Sequence, residues 1–349
     1  MMNSLERVLT ATNPPLVRLP APGPSNFLKA GLFVLFFMLA ANLFSALAQS
    51  PDPRNLQNAP CIPKEGYVDQ PYIVITKNGD WLCTLTTGPG SESQPGQHVV
   101  ATLSSDKGRT WSPLIDIEPS SGPEASWIVP FIAPSGRIYV FYDYNGDHIK
   151  EVNGKPLIRL SALLGWYVFK YSDDGGKTWS DRRYRLPMPV AEVDRKNAWG
   201  GAVQQFWGID KPEVAGKDVV FGFTRFNRMP KRIEEGWLYR SDNLLTEPDP
   251  DKIRWKLLPE TERGIRSDAF EPAQQEHNIA SLANGDLCCM YRTDTGYLAS
   301  AYSRDGGRTW SMPESPVYAI GGRLKNPLGC PPVWRLPDGR FLLLSLIHI

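Results

Sequence analysis

Ser303-Arg304-Asp305-Gly306-Gly307-Arg308-Thr309-Trp310 is the last of three octapeptides with one pattern, S-x-D-x-G-x-x-W. The others are Ser104-Ser105-Asp106-Lys107-Gly108-Arg109-Thr110-Trp111 and Ser172-Asp173-Asp174-Gly175-Gly176-Lys177-Thr178-Trp179. The first two start 68 residues apart and the last two 131, close to twice that spacing. One more unit is therefore expected near residue 240. There Tyr239-Arg240-Ser241-Asp242-Asn243 reads as a degenerate copy without the Gly or the nearby Trp. A period of tens of residues, closed each time by turn chemistry, marks a repeat architecture. The Asp side chain can accept bonds from the N–H groups of its own turn. Gly supplies a backbone conformation that other residues resist, and the Trp ring buries a large area under the hairpin. Asp106, Asp174 and Asp305 are thus expected to be structural, not catalytic.

Working outward from the octapeptides, each unit reads as β-structure. Ile73–Thr76, Asn78-Gly79 and Trp81–Thr87 read as strand, tight turn and strand. The same order recurs around Pro134-Ser135-Gly136, Asn284-Gly285 and Asp338-Gly339. Asn-Gly and Asp-Gly between apolar runs are hairpin signals, predicted here as turns with positive φ at both positions. A third strand (Val99–Leu103, Tyr167–Tyr171, Leu298–Tyr302) runs into each octapeptide, and a fourth is expected after the Trp. Four antiparallel strands per period of roughly 65 residues, repeated radially, describe an all-β propeller.

Composition bounds what such a chain can do. Its 349 residues are 42% hydrophobic and 21% charged, as in a globular protein, and the net charge is +1. There is no broad basic field, so nucleic acid is not an expected partner. Lys29 precedes an uncharged run at residues 30–48 that ends Ala46-Leu47-Ala48. This reads as a signal peptide with a small-x-small cleavage site, or as an uncleaved anchor long enough to span most of a bilayer. Either way the folded part is expected to be secreted or membrane-anchored on the non-cytoplasmic side, with membrane contact only through this segment. The expected organisation is a leader at 1–48, a linker at 49–66 and a propeller at 67–349. The five Cys match no zinc spacing. Cys288 and Cys289 are expected on opposite faces of a strand, and no metal or other cofactor is called for.

The octapeptides resemble the Asp boxes of sialidases and related propellers, over about Tyr67 to Ser345. A second stretch carries the resemblance further: Glu276, Leu282, Gly285 and Arg292 reproduce a sialidase spacing and are followed by an Asp box. In that family the Glu polarises a Tyr nucleophile, and the Arg is one of three that clamp the sialic acid carboxylate. A planar guanidinium suits such a clamp, and a Tyr hydroxyl needs a base beside it. Sialidases are an exception among glycosidases in using Tyr. The plainer reading is that Glu276 and Arg292 pair across their hairpin.

The chain also departs from the family pattern. Asp69 stands where the resemblance implies the first clamp Arg. The loop at residues 88–97, where the family carries an acid/base Asp, holds Glu92. The third clamp Arg and the Tyr nucleophile would lie beyond Ile349. The resemblance implies a six-bladed sialidase-type propeller, incomplete here, with about four blades and the start of a fifth. The ending at 343–349 reads like a truncated frame. The function implied is a glycoside hydrolase acting on terminal sugars of glycans, exo-α-sialidase-like. Glu276 would be base or nucleophile activator, Asp69 a proton carrier and Arg292 a substrate clamp. Asp for Arg would repel a sialic acid carboxylate and suit a neutral sugar better. The alternatives are a non-catalytic carbohydrate- or protein-binding propeller, and an enzyme acting on another acidic sugar.

Overall fold

The computed structural model describes residues 55, 57, 59–157, 163–228, 231–326, 328–336 and 338–344. The apolar run at 30–48 lies outside the described residues. Among the described residues, no helix is long and apolar enough to cross a membrane. The propeller unit begins at Pro60.

Four antiparallel blades follow one another. Blade 1 is β1 (Tyr67–Ile75), β2 (Trp81–Gly88), β3 (His98–Ser104) and β4 (Ile115–Asp116), in that order. Blade 2 is β5 (Ala125–Ile132), β6 (Ile138–Tyr144), β9 (Trp166–Ser172) and β10 (Tyr184–Arg185). A small hairpin, β7 (Glu151–Val152) and β8 (Lys155–Pro156), is inserted before β9. Blade 3 splits its innermost strand into β11 (Phe206–Trp207) and β12 (Glu213–Ala215). Both pieces pair with β13 (Asp218–Asn227), which is followed by β14 (Ile233–Ser241) and β15 (Lys256–Leu258). Blade 4 is β16 (Gln274–Ser281), β17 (Leu287–Thr293) and β18 (Leu298–Ser303). Its fourth strand is reduced to a single bridge between Ser300 and Glu314. A hairpin of β19 (Val333–Arg335) and β20 (Phe341–Leu343) begins a fifth unit. The expected four blades plus a hairpin are present.

The strands of the middle blades are apolar on both faces because each of those blades is packed between two others. In β13, Phe221 and Phe223 pack towards Phe141 and Tyr167 of blade 2. Val220 packs the other way, with Ile279 and Tyr291 of blade 4. In β6, Val140 and Tyr142 face Leu82 and Val99 of blade 1. Shifting one such strand by a single residue would swap its two faces, so burial on both sides fixes register.

The hairpin turns differ from expectation in one respect. Gly79 and Gly285 are left-handed (φ +89° and +88°), but Asn78 and Asn284 are not. Thr76 N–H donates to the Asp80 carbonyl (2.9 Å) and Gly79 N–H to the Thr76 carbonyl (3.0 Å). The connection is thus a three-residue loop, which needs positive φ only at its last position, where Gly stands.

At the opposite end of the innermost strands, a β-bulge recurs at one register. Pairing is interrupted between Asp69 and Tyr72, between Ser126 and Val129, and between Gln275 and Asn278. Each bulge opens with a non-glycine residue at positive φ: Gln70 (+48°), Trp127 (+61°) and Glu276 (+58°). Bulges bend a strand and re-aim its side chains. In blade 3 the interruption widens to residues 208–212, which reach the innermost strand of blade 1. There the Ile209 carbonyl accepts the Tyr72 hydroxyl, and Lys211 Nζ donates to the Ile73 carbonyl at 2.9 Å.

Candidate active site

The bulged ends of the innermost strands bring four carboxylates and an arginine together. Glu276 leads the bulge of β16, and Arg292 lies on β17 opposite Gln275. One Glu276 oxygen, Oε1, lies 3.2 Å from Arg292 Nη2. The other, Oε2, is buried with no hydrogen-bond partner among the described residues. Burial pushes the Glu276 carboxyl up to about 7; Arg292 pulls the other way, while Asp69, Glu92 and Glu234 add to the rise. Asp69 is pushed up to about 6, chiefly by burial and then by Glu92. The Gln70 N–H, 2.9 Å away, and the Tyr67 hydroxyl hold it down in part.

Glu234 is bonded within the protein. It accepts from Arg232 Nε (2.8 Å), Gln275 Nε2 (2.6 Å) and the Gln274 N–H (3.0 Å). Arg292 is also largely engaged. Its Nη1 donates to the Leu328 carbonyl (2.6 Å) and its Nη2 to Gln275 Oε1 (2.6 Å). Its Nε is buried without a partner. A bidentate grip on a ligand carboxylate needs two adjacent N–H groups, and this guanidinium already spends most of its donors on the protein.

The Asp boxes lie at the other end of the blades. Asp305 Oδ1 accepts from Ser303 Oγ (2.8 Å) and the Thr309 N–H (2.9 Å), and its Oδ2 accepts from Thr309 Oγ1 (2.6 Å). Asp106 and Asp174 repeat this arrangement with Ser104 and Thr110, and with Ser172 and Thr178. These bonds, the Thr309 hydroxyl first, hold Asp305 down to about 2. The degenerate unit keeps part of the device: Leu244 N–H donates to Ser241 Oγ at 3.1 Å.

A family profile described as the BNR/Asp-box repeat matches residues 170–181 and 301–312. Its geometry extends to the first octapeptide as well. No curated protein sequence matches the chain. Among solved structures, the chain is similar to a protein of unknown function from Dyadobacter fermentans, at 19% identity and a TM-score of 0.59. That match covers 81% of this chain and 76% of the other. It is similar to the Hadza microbial sialidase Hz136 at 17% identity and a TM-score of 0.55, over 80% of this chain and 53% of that one. It is also similar to the NanB sialidase from Streptococcus pneumoniae at 16% identity and a TM-score of 0.51, over 85% of this chain and 59% of that one.

The fold is that of a sialidase-like Asp-box β-propeller. The chain spans somewhat over half the length of the two sialidases.

Within this propeller, the sequence-predicted residues Glu276, Arg292 and Asp69 meet at one end of the innermost strands. Asp69 and Glu276 are not equivalent positions, however. The last pair before the bulge is Asp69–Thr86 in blade 1 and Gln275–Arg292 in blade 4. Asp69 therefore matches Gln275, and Gln70 matches Glu276. Glu92 reaches the same group from the loop at 88–97. Sequence reasoning missed Glu234, Thr224 and His277. Their signal was faint, because each sits inside a strand with no motif of its own. Residues 208–212 supply the wide interruption that meets blade 1. Of these residues Asp210 is wholly buried, accepting from the Gly222 N–H (2.6 Å) and the Ile279 N–H (2.9 Å). All five cysteines are free thiols, with Cys83, Cys288 and Cys289 buried.

Proposed function

We propose that this propeller is a glycoside hydrolase acting on terminal sugars of glycans, with a neutral sugar as substrate, not sialic acid. The observation that carries the reading is the coupled carboxylate pair. Asp69 and Glu276 both sit well above the ordinary carboxylate range, at about 6 and about 7, chiefly through burial; Asp69 adds to the rise of Glu276, and Glu92 adds to the rise of both. At a pH between those values Glu276 is chiefly protonated and Asp69 chiefly ionised. One protonated and one ionised carboxyl is the state that acid/base cleavage of a glycosidic bond requires. Arg292 fixes one oxygen of Glu276 and leaves the other for substrate or water. The preference for a neutral ring rests on Asp69 and Glu92, which repel an anionic substrate, and on the small share of Arg292 left for a ligand. The leader reading belongs to the same proposal and places the site outside the cytoplasm.

A binding propeller without turnover is the second reading, favoured by how fully Arg292 is engaged within the protein. The two separate in a panel of aryl glycosides, neutral and sialylated, assayed with the wild type, Glu276→Gln and Asp69→Asn. Turnover of a neutral glycoside that both substitutions suppress supports the hydrolase. Glycan binding with no turnover of any panel member overturns it, and sialoside turnover untouched by Glu276→Gln overturns both the role of Glu276 and the preference for a neutral ring.

A further inference from the structure

Glu276 holds a backbone conformation that a side-chain-bearing residue adopts at an energetic penalty, with φ +58°. Something outside the strand must stabilise it. The Glu276 N–H donates to Thr224 Oγ1 at 2.8 Å. Thr224 lies on β13 of blade 3, opposite Trp207, so this bond crosses between blades. Thr224 Oγ1 also lies 2.9 Å from His277 Nδ1. A hydroxyl has one proton to give. Its oxygen also carries two lone pairs, so besides accepting from the Glu276 amide it shares one proton with His277 Nδ1, donating or accepting according to the ring's tautomer.

The surroundings hold the ring in this role. His277 is wholly buried and packs against Tyr291 with ring centroids 4.3 Å apart and the planes tilted by 32°. Gly236 of β14 lies so close that a Cβ there would overlap the imidazole, and Gly222 approaches the His277 carbonyl in the same way. Burial pushes the imidazole down to about 3, against the upward pull of the Ile265 carbonyl, so it stays neutral wherever the protein is folded near neutral pH.

We propose that His277 and Thr224 are positioning residues for Glu276: the chain from imidazole to hydroxyl to amide holds the left-handed turn that aims the Glu276 carboxyl at the site. Its catalytic meaning rests on the hydrolase reading, but the positioning itself does not. Thr224→Val removes the hydroxyl at nearly constant shape, Thr224→Ser keeps it, and His277→Phe keeps a ring without the Nδ1 partner. Two measurements test the chain independently of turnover. Amide hydrogen exchange at Glu276 is expected to quicken at least tenfold in Thr224→Val and His277→Phe and to stay near wild type in Thr224→Ser. The carboxyl titration of carbon-13-labelled Glu276, which also senses Arg292, Asp69, Glu92 and Glu234, is expected to move in the first two variants only. On a glycoside substrate, Thr224→Val is expected to lose roughly tenfold in kcat, with KM within about twofold. Unchanged exchange and titration in a folded Thr224→Val protein overturn the proposal. Failure of the wild type to cleave any glycoside overturns the hydrolase reading alone, because exchange and titration still decide the positioning.

Discussion

The two ends of each blade treat the same chemical group in opposite ways. At the Asp-box end, Asp106, Asp174 and Asp305 are exposed or half-buried, bonded by neighbours within five residues, and held near the bottom of the carboxylate range. At the axial end, Asp69 and Glu276 are largely withdrawn from water and sit two or more units higher. The difference lies in where the partners come from. A turn supplies donors to its own Asp whatever the rest of the chain does. An axial carboxylate depends on residues from other strands, and those residues include further carboxylates. The first arrangement lowers the energy of the fold, and the second raises it, as at sites where carboxyls are held out of their ordinary range.

The largest expected effect breaks the axial side of this contrast. Glu276→Gln should reduce kcat on a neutral glycoside by about 10³-fold, within the range for losing a positioned acid or base. It should also stabilise the protein at pH 8. A carboxyl raised from 4.5 to about 7 on folding contributes stability that is present below pH 4.5 and lost as pH rises through 7. Its removal therefore helps most on the alkaline side. With the side chain 12% exposed, the gain should be on the order of 2 kcal/mol, readable in denaturant midpoints at pH 5 and pH 8. Equal midpoint changes at both pH values would show that Glu276 carries no such strain.

Next in size is the pH profile of the wild type. A bell in kcat/KM with limbs near pH 6 and pH 7 is expected, narrow because the two carboxyls titrate close together. Asp69→Asn should lower the maximum by about 10²-fold and leave a single limb. A profile flat from pH 5 to pH 8 would dissociate both groups from the chemistry.

Smaller effects belong to the Asp boxes. Asp305→Ala should lower the melting temperature by a few degrees while leaving KM unchanged, because the turn lies away from the carboxylate site. A changed KM with an unchanged melting temperature would reverse the division between the two ends. The smallest effect is in acid. Asp106 and Asp305, depressed to about 2 in the fold, contribute stability that is present above pH 4 and fades as pH falls towards 2. The double Asn variant should show a shallower loss over that interval.

How much of this was legible in the sequence follows from the range of the interactions. The octapeptides and their spacing were sufficient for the propeller, since Ser, Asp, Gly and Trp bond and pack within their own hairpin. Alternation hidden under continuous apolar runs was also readable once blades were assumed, because a strand between two blades is buried on both faces. Glu276 and Arg292 could be singled out by their spacing, as neighbours on one hairpin. Their electrostatic state could not, because it depends on Asp69, Glu92 and Glu234, which the chain supplies from other strands and loops.

The sequence by itself determined the repeat and the turns, because those rest on bonds between residues a few positions apart; the candidate pair came from its resemblance to a sialidase spacing. The tertiary structure alone showed that Asp69 and Gln275 each form the last pair before a bulge, since a bulge leaves no mark in composition. It alone joined Thr224 to Glu276 and Asp210 to Ile279, bonds that cross from one blade to the next. Such contacts exist only after the blades have packed, so the chemistry at the axial end is a property of the assembled ring and not of any segment within it.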